Sequence, residues 1–190
     1  MADIQSTVLQ RQAPIRATYR KRPEQALITK RARTQWVGGA DPWHGAVIPG
    51  DADGGSQHYG IDRAVGGYHD APNPGELLCA ALAACKDATV RMVADALGVI
   101  LEQLEVEVTG RVDVRGSLGM DPDTPVRFQT VTCEVRLRVA PGTPPAAVER
   151  LLAGAECACI NLATLRRGVP VKVDFTVDGG ERQAPPPMTP

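Results

Sequence analysis

Residues 73 to 98 limit the possible folds of this chain more than any other stretch. Asn73-Pro74-Gly75-Glu76 has the residues of a helix start: an asparagine able to accept a backbone N–H, proline at the first helical position and glutamate at the third. Leu78, Ala81, Cys85, Ala88 and Met92 then recur at spacings of three and four, and Gly98 is a natural stop after Leu97. The other faces carry Leu77, Ala80, Ala83, Ala84 and Val93, so the helix is apolar nearly all round. Such a helix is expected to be buried, and its alanines let a second helix approach closely.

Two long stretches with the two-residue period of strands come next. Leu104 to Val114 alternates through Val106, Val108, Val112 and Val114, and Val126 to Val139 through Phe128, Val131, Cys133, Val135, Leu137 and Val139. The change of phase between Phe128 and Val131 predicts a bulge. Pro144 to Ala155 reads as an amphipathic helix with Val148, Leu151 and Leu152 on one face, Cys157 to Arg166 as a short helix, and Val169 to Val177 as a final strand. Upstream, Arg33 to Val37, Ala46 to Ile48 and Gln57 to Ile61 are short strand candidates between turn-rich loops. This order of elements makes an α+β domain with an antiparallel sheet. One sheet of half-polar strands cannot cover so apolar a helix, and a second copy of the same element is the simplest further cover, so a symmetric homodimer is expected.

Residues 1–30 have mixed charge, Pro14, Pro23 and little periodicity, and read as an N-terminal extension; 31–178 form the domain, and 179–190, rich in Gly and Pro, a flexible C-terminal tail. Net charge is −1, which argues against a nucleic-acid surface; the basic residues between Arg16 and Arg33 read as a solvated arm. No segment reaches the roughly 18 apolar residues of a membrane span, and Met-Ala-Asp-Ile-Gln-Ser has no signal-peptide character. Five cysteines make an odd count without framework spacing, so reduced thiols in a cytoplasmic setting are expected. Cys79 and Cys133 fit buried fillers. Cys157-x-Cys159 with the distant His44, His58 and His69 lacks zinc-ligand spacing, so neither metal nor other cofactor is expected.

Three segments carry a family resemblance. Asn73-Pro-Gly-Glu-Leu-Leu-Cys-Ala-Ala-Leu-Ala-Ala-Cys85 resembles the helix that bears the first cysteine of the OsmC/Ohr superfamily. Leu104 to Gly116 resembles that family's following strand, and Ala155-Glu-Cys-Ala-Cys159, with Asn161 to Arg166 and Gly168 to Val171 behind it, resembles the segment with the second cysteine. The resemblance implies an OsmC-like α+β fold, with antiparallel sheets wrapped around the central helices of an intertwined homodimer. It also implies thiol-dependent reduction of organic hydroperoxides or hydrogen peroxide in an oxidative-stress response. Cys85 would attack, Cys159 would resolve, and a dithiol reductant, with a lipoyl-type dithiol as a candidate, would close the cycle. A thiolate is the nucleophile in such chemistry, and a second thiol traps the sulfenic acid as a disulfide.

The sequence also departs from the peroxidases. Gly75 stands where they carry the Glu that, with an Arg, holds the thiolate. Glu76 is next to it, but nine residues before Cys85 it lies about 180° around the helix, and a capping box with Asn73 is the favoured account of it over a catalytic role. Arg63 is the candidate arginine, with Arg31 and Arg33 in reserve. Ile160 replaces the proline common after the second cysteine, Lys86-Asp87 replaces an aromatic after the first, and Cys157 is a rival to Cys159. The face around Cys85, formed by Ala81, Leu82, Ala88 and Thr89, offers no cation, and Lys86 lies about 100° away. These departures place the chain on the OsmC-like branch. They leave a non-catalytic small-molecule binding module, or a redox-sensing thiol pair, as alternatives on the same fold.

Overall fold

The computed structural model describes residues 6–35, 41–50 and 55–176. Its central helix α2, Pro74–Leu97, begins and ends where the sequence dictates. Asn73 Oδ1 accepts the Glu76 N–H at 3.0 Å and Glu76 Oε2 accepts the Asn73 N–H at 2.9 Å, a complete capping box. Gly98 closes the helix with φ 67°, a conformation that favours glycine.

Strands β4 (Leu101–Val112) and β5 (Phe128–Val139) pair antiparallel, with Val106 opposite Val135 and Val108 opposite Cys133. β4 thus starts earlier than its clearest alternation and ends two residues before Val114. Register steps from Arg111–Thr130 to Val112–Phe128, leaving Gln129 unopposed. This is the bulge that the phase change predicts, and Gln129 uses it to accept the Asp113 N–H at 2.8 Å. On one face Leu104, Val135, Leu137 and Val139 pack against Val90 and Ala94 of α2 and against Leu151 and Ala155 of α3 (Pro145–Cys157). The polar face carries exposed ion pairs such as Arg136 with Glu134 (2.9 Å) and Glu107 (3.2 Å), which add little to stability. A short α4, Ile160–Arg167, follows after a break at Cys159, so the second helix starts three residues later than its sequence pattern implies.

A second sheet holds β1 (Ala32–Gln35), β2 (His44–Pro49) and β3 (Gln57–Gly60), antiparallel with β2 in the centre. The remainder of the expected first strand, residues 36–37, lies outside the described residues, as do Val177 and the tail 179–190. His44 ties this sheet to the loop before α2: its Nδ1 lies 2.6 Å from Asp41 Oδ2 and its Nε2 2.9 Å from Asp70 Oδ1. These two carboxylates hold the imidazole pKa above its ordinary value.

Three expectations need correction. Part of the N-terminal extension is helical: α1 spans Thr7–Lys21 with Pro14 inside it. Ser6 Oγ accepts the Leu9 N–H and donates to Asp95 Oδ2 at 2.5 Å, while the Val8 N–H reaches the same oxygen at 2.8 Å. No α1 residue is buried, so these polar contacts with α2 dock it without an apolar stripe. Residues 169–176 form no strand apart from an isolated bridge at Phe175. Val171 stays 80% exposed and Phe175 54%, because a strand exists only by pairing and this segment has no partner strand among the described residues. Finally, α2 buries Leu82, Lys86, Thr89, Val90 and Ala94, whereas Leu78, Ala81, Ala88 and Met92 of its apolar stripe are exposed in the single chain.

Candidate active site

Cys85 sits in the middle of α2, and Cys159 occupies the turn between α3 and α4 as the N-cap of α4. Their sulfurs are 3.5 Å apart. Extended backbone at Cys159 (φ −80°, ψ 107°) breaks the chain out of α3 and turns its side chain back toward α2. The Asn161 amide donates to the Ala81 carbonyl at 2.8 Å, clipping α4 to α2 one turn before Cys85. Cys159 is 1% exposed beside Leu82 and Leu162, and Cys85, Val108 and Cys133 pack around this group. The structure therefore brings together the two cysteines singled out from the sequence. Cys157 ends α3 on the exposed surface.

Burial pushes the Cys159 thiol above its ordinary pKa. A hydrogen bond from the Leu162 N–H opposes that rise, the neighbouring Cys85 adds to it, and the charge of Lys86 opposes it. Burial likewise raises the Cys133 thiol, again against Lys86. Lys86, next to Cys85 in the chain, is thus a cation whose charge acts on Cys159 and Cys133. Lys86 is only 6% exposed, and its Nζ donates to the Ala155 carbonyl and to Glu156 Oε2, both at 3.0 Å. Arg166 pairs with the other Glu156 oxygen, and Arg166 first, then Lys86, holds that carboxyl below the usual range. Sequence reasoning missed this Lys86–Glu156–Arg166 chain. Its one local signal is a lysine flanked by alanines and a cysteine in the most apolar helix, where a charge is tolerated only with partners.

The other candidates lie elsewhere. Glu76 completes the capping box and its Oε1 is 3.6 Å from His69 Nε2. Arg63 Nε donates to the Tyr68 carbonyl at 3.1 Å in the loop before α2, and among the described residues no contact joins it to either sulfur. Arg31 and Arg33 are exposed at β1. Cys79 lines a separate groove of about 1070 Å³ with Pro74, Gly75, Ala83, Val108 and Phe128. Gly110 shapes it, since a Cβ there would meet the Phe128 ring at 2.5 Å. Among the described residues, no group of three or more His, Cys, Asp or Glu is placed to hold a metal, and no helix is long and apolar enough to cross a membrane. Glu76→Ala should lower the unfolding free energy by about 1 kcal/mol through loss of the cap. A wild-type melting temperature together with lost thiol reactivity would instead place the carboxylate in the thiol chemistry.

The family model described as OsmC-like protein matches residues 67–174, which contain both cysteines. The chain belongs to the OsmC-like family. An OsmC-like protein from Mycoplasma pneumoniae is similar in structure, with a TM-score of 0.57 at 15% identity over 74% of this chain and 89% of that one. So is an organic hydroperoxide resistance protein OsmC from Legionella pneumophila, at 0.51 and 24% over 74% and 91%. An organic hydroperoxide resistance protein from Elizabethkingia anophelis gives 0.50 and 21% over 75% and 90%. At these identities the likeness is one of fold, and it agrees with the expected OsmC-like α+β architecture. A comparison with curated proteins gives no match.

Proposed function

We propose that this OsmC-like protein reduces hydroperoxides with Cys85 and Cys159 as part of a peroxide-stress response. The observation that carries this reading is the 3.5 Å separation of the two sulfurs. Cys159, kept protonated by burial, donates toward the Cys85 sulfur. The Cys85 thiolate attacks the peroxide O–O bond; one oxygen stays on sulfur as sulfenic acid and the other leaves, with a proton, as alcohol or water. The Cys159 thiol then displaces hydroxide, which departs as water, and a disulfide forms. That step needs the sulfurs to close by about 1.5 Å. A dithiol reductant supplies the two electrons that restore both thiols. The hydroperoxide resistance proteins of Legionella and Elizabethkingia, which share this fold, support a hydroperoxide as the oxidant.

The working unit in this reading is a homodimer built on residues 31–178. The exposed stripe of Leu78, Ala81, Ala88 and Met92, and the unpaired apolar positions Val169 to Phe175, are surfaces that a second copy would cover. Light scattering at micromolar concentration should give twice the chain mass, and a monomer would overturn this.

The apolar groove beside Phe128 favours a second reading, binding of a small apolar molecule without chemistry. Titrating thiols before and after one equivalent of an alkyl hydroperoxide separates the two. Loss of two thiols with formation of one equivalent of alcohol supports the enzyme, and no loss leaves the binding module. Turnover with excess dithiol distinguishes an enzyme from a thiol pair that only senses oxidation.

A further inference from the structure

We propose that the oxidised Cys85–Cys159 pair is opened from the Cys85 side, with Cys159 as the leaving sulfur and Lys86 as the positioning residue that assists its departure. The inference rests on the reading above only in taking that disulfide as the form to be reduced. In thiol–disulfide exchange the incoming thiolate bonds to one sulfur, and the other departs with the electron pair. Access selects the target. Cys159 is 1% exposed and enclosed by Leu82 and Leu162, whereas Cys85 is only half-buried. Attack at Cys85 forms a mixed disulfide between the reductant and Cys85 and releases the Cys159 thiolate, which takes up a proton. The second thiolate of the dithiol then attacks its own half of the mixed disulfide. Cys85 departs as thiolate, and the reductant leaves as a cyclic disulfide, oxidised by two electrons.

The surroundings of Cys159 are suited to the charge it must carry. Burial is the largest influence on this sulfur and disfavours the thiolate. Against it stand the backbone N–H of Leu162, in the first turn of α4, and the ammonium of Lys86, buried where its Nζ meets the Ala155 carbonyl near the end of α3. The α4 N-terminus adds a partial positive charge. Arg166 shares Glu156 with Lys86, so the carboxylate does not cancel the ammonium alone. In the mixed disulfide Cys85 is uncharged, and its opposition to the Cys159 thiolate disappears. The backbone N–H groups around Cys85 are spent within α2.

The test starts from protein oxidised with diamide, which forms the disulfide without peroxide. One equivalent of a monothiol is added, the reaction is quenched in acid, free thiols are alkylated, and the peptides are mapped by mass. The adduct is expected on Cys85, with Cys159 alkylated; an adduct on Cys159 overturns the proposal. Lys86→Met should slow opening about fivefold, with Lys86→Arg recovering most of the rate. Glu156→Gln should not slow opening, because it removes a negative charge near the departing sulfur, whereas a purely structural role for the Lys86–Glu156 pair predicts slowing in both variants. Opening of Lys86→Met at the wild-type rate overturns the role of Lys86. Failure of diamide to join Cys85 to Cys159 overturns both this inference and the reductase reading. A disulfide that forms with diamide but not with hydroperoxide removes the reductase reading alone, and the adduct position still decides the inference.

Discussion

Cys85→Ser should neither consume hydroperoxide nor lose thiols, whereas Cys159→Ser should react once to the sulfenic acid and thereafter only over-oxidise. The asymmetry follows from the roles proposed for two sulfurs 3.5 Å apart. Without the attacking thiolate the O–O bond has no nucleophile, and turnover falls to background. Without the resolving thiol the sulfenic acid forms, persists, and moves to sulfinic and sulfonic acid as peroxide is added in excess. Mass mapping should show a Cys85–Cys159 bond in the wild type and additions of one, two and three oxygens at Cys85 in Cys159→Ser. Cys79→Ser and Cys133→Ser should behave as wild type: Cys79 lies in the separate groove, and Cys133 sits on β5 with its thiol raised by burial. A bond from Cys85 to Cys157, or no bond at large peroxide excess, would remove the reductase reading.

Leu151→Ala should be the most damaging single change to stability, at about 3 kcal/mol. Leu151 is fully buried, clamped between Val90 and Ala94 of α2 and the inner face of the β4–β5 hairpin. Truncation loses the transfer free energy of the removed atoms and leaves a cavity that cannot close, because α3 is fixed at its far end by Lys86 on the Ala155 carbonyl. Urea unfolding at fixed protein concentration checks this. A loss under about 1 kcal/mol would mean that α3 shifts to fill the space. Leu152→Ala one residue on, at 51% exposure, is the internal control and should change little in the same assay.

Features written in adjacent residues were legible in the sequence. The capping box of α2, its Gly98 stop, the alternation of β4 and β5 and the bulge at Gln129 depend on neighbours within a few positions, and the structure places each close to where the pattern puts it. The two sulfurs were legible for a different reason, the resemblance of their flanking segments to a family. What escaped depends on distant partners. α1 has no buried face, and Pro14 reads as a breaker; what docks it is Asp95, more than eighty residues away. The ion pair of Lys86 was not legible because its carboxylate partner comes from another helix, seventy residues on. The segment from Val169 onward has the period of a strand, but among the described residues its pairing is limited to an isolated bridge at Phe175. The exposed half of α2 is a similar case: binary patterning marks a face as apolar without stating what lies against it.

The long separation of the two cysteines along the chain ties redox state to folding. Joining residues 74 positions apart would remove conformational freedom from the unfolded chain worth about 4 kcal/mol. Around a closed thermodynamic cycle the same quantity must appear in the other direction, so folding favours oxidation of the pair, relative to the unfolded chain, by as much as oxidation favours folding. Reduction therefore does more than reset a nucleophile. In the proposed cycle it would return the protein to its less stable form, so the dithiol state would also be the one in which the chain most readily opens.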